Sequence, residues 1–160
     1  MKKMFFYRIF ILSLLFMSLS TPAIAKMMNI GAVYGDKGDL DRALRYFLDD
    51  QAIKDRLGLH NTADYANLMM SIGIVYAFKG DLDRALRYFL DSKEIMDNLG
   101  LQNTADYPLL LYNMGILYEK QGKREMAGRY YRNAYESYVR SGYIGPDRDD
   151  TLKRAQRLGY

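Results

Sequence analysis

The segment GDLDRALRYFLD occurs at residues 38–49 and again, without one change, at residues 80–91. Nothing else in the chain constrains its fold as strongly. Shifting the sequence by 42 residues superposes NIGAVY (29–34), SIGIVY (71–76) and NMGILY (113–118). Gly38, Gly80 and Gly122 coincide, as do Ala43, Ala85 and Ala127. The connectors LGLHNTADY (57–65) and LGLQNTADY (99–107) differ at one position. A fixed period of this length marks an array in which one small unit is stacked on the next.

Each unit reads as two helices. In DLDRALRYFLDSKEIMDNLG the apolar residues Leu82, Ala85, Leu86, Phe89, Met96 and Leu99 recur at helical spacing on one face. Asp81, after the turn residue Gly80, suits the N-cap. Asp83, Arg87 and Asp91 lie four apart and read as a solvated outer row. In the preceding helix type, DYPLLLYNMGILYEKQG, Pro108 fits the first turn, Met114, Leu117 and Tyr118 face inward, and Gly122 ends the helix. Gly58, Gly100 and Gly142 read as C-caps. A period of 42 is also six heptads, but Gly80, Gly100, Gly122 and the Asn103-Thr104 pair break any continuous coiled-coil seam. Gly31, Gly73 and Gly115 fall inside helices, where glycine costs about 1 kcal/mol against alanine. Close approach of the paired helix accounts for them, with Ala43, Ala85 and Ala127 as the expected partners.

These residues carry a resemblance to the tetratricopeptide repeat family over about residues 27–141. The family pattern places a large apolar residue, Leu-Gly, Tyr, then Ala and Phe. The three copies here supply Met27, Ile30-Gly31, Tyr34, Ala43 and Phe47; Met69, Ile72-Gly73, Tyr76, Ala85 and Phe89; Leu111, Met114-Gly115, Tyr118, Ala127 and Tyr131. The period is 42 instead of 34, and Asp55, Asp97 and Val139 replace the usual proline. Both departures resemble the kinesin-light-chain-like branch with longer helices. The fold class implied is all-α: an α-solenoid of about three tetratricopeptide-type hairpins, at about 26–58, 64–100 and 106–141, plus a C-terminal capping helix or truncated fourth repeat at 146–160. By analogy with Asp64 and Asp106, the first helix should begin near residue 22.

The N-terminus carries a different message. MKKMFFYR holds Lys2, Lys3 and Arg8 with no acid, an apolar run fills residues 9–19, and Ala23-Ile24-Ala25 follows. Residues 1–25 therefore read as a signal peptide cleaved after Ala25. The apolar run falls short of the ~20 residues a membrane span requires. The expected location is periplasmic or secreted from a bacterium, with cleavage cutting into the first helix. The alternative is an uncleaved anchor tethering an accessory subunit to an envelope complex; membrane association is expected only in that case. Without Lys2, Lys3 and Arg8, 20 basic side chains face 19 acidic ones, so charge gives no case for nucleic acid binding. The absence of cysteine excludes thiol chemistry and disulfides.

Catalytic chemistry finds no foothold in the sequence. His60, the one histidine, sits in a connector and its counterpart is Gln102. The repeated GDLD carboxylates lack the spacing of a calcium loop and read as helix caps. No phosphate loop or nucleophile motif occurs. RYYRNAYESYVR (129–140) mixes aromatics with arginine, but its helical spacing favours packing. No catalytic, cofactor or metal residue is expected, and the chain is not expected to be an enzyme.

What the resemblance implies is a groove lined by the first helix of each unit. By position its wall would include Asn67, Met70, Ser71, Ile74 and Phe78, then Leu109, Tyr112, Asn113, Ile116 and Lys120, with Asn29 at the N-terminal end. The basic clamp with which some family members grip a C-terminal carboxylate is not visible here. The implied partner is a protein or peptide segment with apolar anchors, and self-association is a second expectation because an incomplete end leaves apolar surface open. The competing reading is that the tail helix or a second copy covers these residues.

Overall fold

The computed structural model describes residues 27–160; the signal-peptide reading and the start of the first helix near residue 22 lie outside the described residues. Among the described residues there are only helices and their connecting turns. They are α1 (27–36), α2 (Leu40–Arg56), α3 (Ala63–Phe78), α4 (Leu82–Asn98), α5 (Asp106–Lys120), α6 (Arg124–Arg140) and α7 (Pro146–Arg157). The chain divides into two compact units, one ending at Leu57 and one spanning Gly58–Tyr160.

In the first unit, α1 and α2 form a hairpin. Asp39 caps α2 by accepting from the Arg42 amide at 3.1 Å and from the Arg42 guanidinium at 2.5 Å. Arg42 in turn lies 4.8 Å from the centre of the Tyr34 ring, which stacks on Tyr46 at 5.6 Å. Ala43 and Phe47 are buried. So are Asp50 and Lys54, an ion pair with Nζ 3.1 Å from Oδ2.

In the second unit, α3 pairs with α4 and α5 with α6, and α7 packs on α6. The turn between α3 and α4 shows why the repeated glycine is there. Gly80 has φ +82°, so its amide reaches the Ala77 carbonyl and the next amide, from Asp81, reaches Tyr76 O at 2.9 Å. Only glycine adopts that left-handed conformation without strain. Asp81 then caps α4 by accepting from the Arg84 amide at 3.0 Å. Hydrogen bonding to Arg84 holds the Asp81 carboxyl below its ordinary pKa. One helix stops and the next starts within three residues. The third hairpin lacks this carboxylate: Lys123 stands at the N-cap of α6 and offers no side-chain cap.

The buried sets of α3 and α5 are broad: nine of 16 residues in α3 and eight of 15 in α5. Their partners α4 and α6 bury narrower stripes, Ala85, Phe89, Ser92 and Met96 in α4, and Ala127, Tyr131 and Tyr138 among those of α6. Two serine hydroxyls tie α4 and α6 to the chain before them. Ser92 Oγ donates to Ala66 O at 2.7 Å, and Ser137 Oγ to Gln102 O at 3.1 Å.

The glycines inside helices do mark close approach, but the expected partners need correction. A Cβ on Gly31 would come within 2.6 Å of the Phe47 ring, on Gly73 within 2.7 Å of Phe89, and on Gly115 within 2.6 Å of Tyr131. The aromatic ring, four residues beyond the alanine on the facing helix, fills the space. Alanine comes next at Gly73, where the Ala85 carbonyl would lie 3.2 Å from an added Cβ. A flat ring laid across a helix backbone needs the missing methyl more than a second small residue does.

Candidate functional site

The second unit holds an apolar cleft of about 180 Å³ between α3 and α5. Ile74, Ala77 and Phe78 form one wall; Asn113, Ile116, Leu117 and Lys120 form the other, with Phe89 between them. Five residues of the sequence-derived groove thus meet in one place: Ile74, Phe78, Asn113, Ile116 and Lys120. Helical spacing accounts for it. Ile74 and Phe78 are one turn apart, as are Ile116 and Lys120, so each pair projects from one side of its helix. Phe78 is 70% exposed, a large apolar ring left in solvent at the mouth of the cleft. The Lys120 ammonium lies 5.9 Å from the centre of that ring.

The other groove residues are placed differently. Met70 is buried, at 6% exposure. Asn67 Nδ2 donates to Asp106 Oδ2 at 3.0 Å, and its Oδ1 is buried with no acceptor role among the described residues. Ser71 Oγ donates to Asn67 O, and Asn113 Nδ2 to Leu109 O, each within its own helix. Leu109 is half-buried, and Asn29 is exposed on α1 in the other unit. Tyr112 is engaged by α7: its hydroxyl donates to Asp150 Oδ2 at 2.6 Å and the Arg154 guanidinium lies 5.6 Å from its ring centre. Burial, and then the bond to Asp150, push the Tyr112 phenol up to about 12. The same contacts, Tyr112 first and Arg154 next, hold the Asp150 carboxyl below its usual range.

Two groups of residues escaped the sequence reading. One is a tyrosine pair at each hairpin turn of this unit: Tyr76 stacks on Tyr88 at 5.6 Å and Tyr118 on Tyr130 at 5.2 Å. Arg84 covers Tyr76 and Lys123 lies near Tyr118. Their signal was the exact recurrence of Tyr at 42-residue spacing. The other is the grip between α5, α6 and α7. Glu119 accepts from the Tyr131 hydroxyl at 2.7 Å, pairs with Arg157 and lies 3.6 Å from Arg154. These partners are up to 38 residues apart and no periodicity links them.

An open recess at the α3–α4 turn, about 570 Å³, is lined by Lys79, Gly80, Asp81, Leu82, Asp83 and Gln121. The Asp81 carboxylate there already serves Arg84. Among the described residues no group of His, Cys, Asp or Glu could hold a metal ion, and no helix is long and apolar enough to cross a membrane. His60 is exposed.

Two family models, each described as tetratricopeptide repeat, match residues 23–98 and 110–142. The chain belongs to the tetratricopeptide repeat family, and its fold is an all-α solenoid of helical hairpins. Among solved structures it is similar to a Podospora anserina protein described as a kinesin light chain with nearly identical TPR-like repeats, with TM-score 0.74 and 11% identity over 85% of this chain and 65% of that one. It is similar to BtubC (BKLC) from P. vanneervenii, with TM-score 0.60 and 17% identity over 86% of this chain and 65% of that one. The Sgt2 TPR domain from Aspergillus fumigatus gives TM-score 0.64 and 13% identity over 86% and 79%. The chain therefore spans just under two thirds of the length of the first two. At these identities the likeness is one of fold. No curated protein matches the chain in sequence. Tetratricopeptide repeats are protein–protein interaction scaffolds, and this chain carries that scaffold.

Proposed function

We propose that this protein is an exported, non-enzymatic binding module that holds a segment of another polypeptide in the cleft between α3 and α5. The observation that supports it best is the convergence of Ile74, Phe78, Asn113, Ile116 and Lys120 on one apolar cavity with an exposed aromatic mouth. A cavity of this size takes one apolar side chain, and the ammonium of Lys120 at its rim favours an acidic residue beside that anchor. The expected ligand is an extended or helical segment with an apolar anchor next to Asp or Glu. Desolvating Phe78 on binding supplies the driving force.

Peptide display selected on the wild type and counter-selected on an Ile74→Glu, Ile116→Glu variant tests this reading. Peptides that share an apolar-acidic core and lose at least tenfold in affinity for the variant are expected. Peptides that bind both proteins equally would remove the cleft from the function. Export rests on residues 1–25, and N-terminal sequencing of the protein recovered from cells checks it: Lys26 is expected at the start, whereas Met1 would favour the tethered form.

A further inference from the structure

We propose that α7 is a displaceable strap, and that the face beneath it, centred on Tyr112, Glu119 and Tyr131, is a docking surface that takes the same helix from a second copy of this chain.

The strap is held unlike every other helix in its unit. Of its 12 residues only Thr151 and Ala155 are buried, against eight of 15 in α5. These two are small residues one turn apart, so the buried stripe of α7 is narrow and shallow. Its large side chains make polar contacts instead. Asp150 accepts from Tyr112 at 2.6 Å and from Arg154 at 2.7 Å. Arg154 lies over a pair of rings, 5.6 Å from the centre of Tyr112 and 5.7 Å from that of Tyr131, which are 5.8 Å from each other. Glu119 takes Arg157 and the Tyr131 hydroxyl. The side chains of Arg154, Asp150 and Glu119 keep 32%, 47% and 31% of their exposure, so water competes for each bond. The Tyr160 ring is seated on Gly128, where an added Cβ would collide with it.

α7 itself buries only Thr151 and Ala155, and what its opening uncovers includes the rings of Tyr112 and Tyr131, amphipathic groups that tolerate water better than aliphatic ones, so it can leave while α5 and α6 stay folded. The link to α6 suits a hinge: Gly142 takes φ +71°, Gly145 follows, and Ile144 is 84% exposed. The vacated face is complementary to an Asp and an Arg one turn apart followed by a second Arg, the pattern Asp150, Arg154, Arg157. Every other copy of the chain carries that pattern. Opening also frees Tyr112, the neighbour of Asn113 in the cleft wall. That last consequence alone rests on the binding function proposed above.

The test uses the full chain, wild type and an Asp150→Ala, Arg154→Ala variant, with a fluorescent peptide of residues 145–160 as probe. Hydrogen exchange should show amides of α7 exchanging at least tenfold faster than those of α5 in the wild type, and tenfold faster again in the variant, with α5 and α6 unchanged. Gly128→Ala, which unseats Tyr160 from the opposite side, should accelerate α7 in the same way. The peptide should bind the variant saturably and the wild type at least tenfold more weakly, because the variant keeps Tyr112, Glu119 and Tyr131 intact. Exchange of α7 in step with α5 would overturn the strap. Release of α7 without peptide binding would overturn the docking surface. Neither result touches the display experiment on the α3–α5 cleft, so the two proposals fail separately.

Discussion

Gly73 shows how one absent methyl sets the spacing of a hairpin. The Phe89 ring occupies the space a Cβ would need. Gly73→Ala gains about 1 kcal/mol of helix propensity and yet should destabilise the protein, because overpacking costs roughly 1–3 kcal/mol. A lowered thermal midpoint checks this, and Phe89→Leu in the same chain should restore part of the loss. Ala85→Leu is a harsher case, since Ala85 has no exposure and its carbonyl already borders Gly73. It should destabilise by a similar roughly 1–3 kcal/mol in chemical denaturation. The mid-helix glycines were legible in the sequence as points of close contact. Their partners were not, because alanine and the ring one turn later lie on the same stripe and period alone does not say which of them fills the gap.

At the scale of the element, α7 depends on groups that titrate at both ends of the pH range. The Tyr112 phenol is raised to about 12 from an unfolded value near 10, so the folded state prefers its neutral form. Its contribution is present in full below about pH 10 and is lost as pH rises through about 12. The Asp150 carboxyl is depressed, so its contribution is present above the ordinary carboxylate value of about 3.9 and is lost as pH falls below it. Hydrogen exchange of residues 146–157 should thus be slowest between about pH 5 and pH 9 once corrected for intrinsic rates. Tyr112→Phe should shrink both limbs, because the same hydroxyl is the first cause of the lowered Asp150 carboxyl; what remains of the acid limb is the share that Arg154 supplies. The helices themselves were readable from apolar spacing, from Asp81 as cap and from Gly80 as stop. The grip on α7 was not, because Glu119 and Arg157 belong to different elements and only the folded chain brings them together.

For the whole molecule, repetition determined what could be read. Three in-register copies of one pattern gave the helical hairpins and their family without ambiguity. The family resemblance those copies carry implied a groove along the first helices, and Ile74, Phe78, Asn113, Ile116 and Lys120 do line a cleft in the second unit. Position in the repeat could not reveal that Tyr112 is engaged by α7 or that Met70 is buried. Those outcomes depend on what packs next to each unit, where the copies stop being alike. Salt offers a check at this scale. The strap's ion pairs are half exposed, so raising salt to 1 M should speed exchange of α7 and leave the α3–α4 hairpin, held by Phe89 and Met96, nearly unchanged.

Asp50 and Lys54 occupy the positions where the next copy has Ser92 and Met96. Upstream of them α2 and α4 share GDLDRALRYFLD, so a growing or refolding chain cannot distinguish the two helices by those residues. The charged couple breaks the tie. A helix that must place a carboxylate and an ammonium side by side in a dry seam is a poor substitute for one that brings a hydroxyl and a thioether, since a misplaced buried charge costs about 3–5 kcal/mol. Asp50→Ser with Lys54→Met would make the first copy an imitation of the second. That variant should melt no lower than the parent, yet refold from denaturant with a smaller yield of native protein and more crossed-over, entangled species.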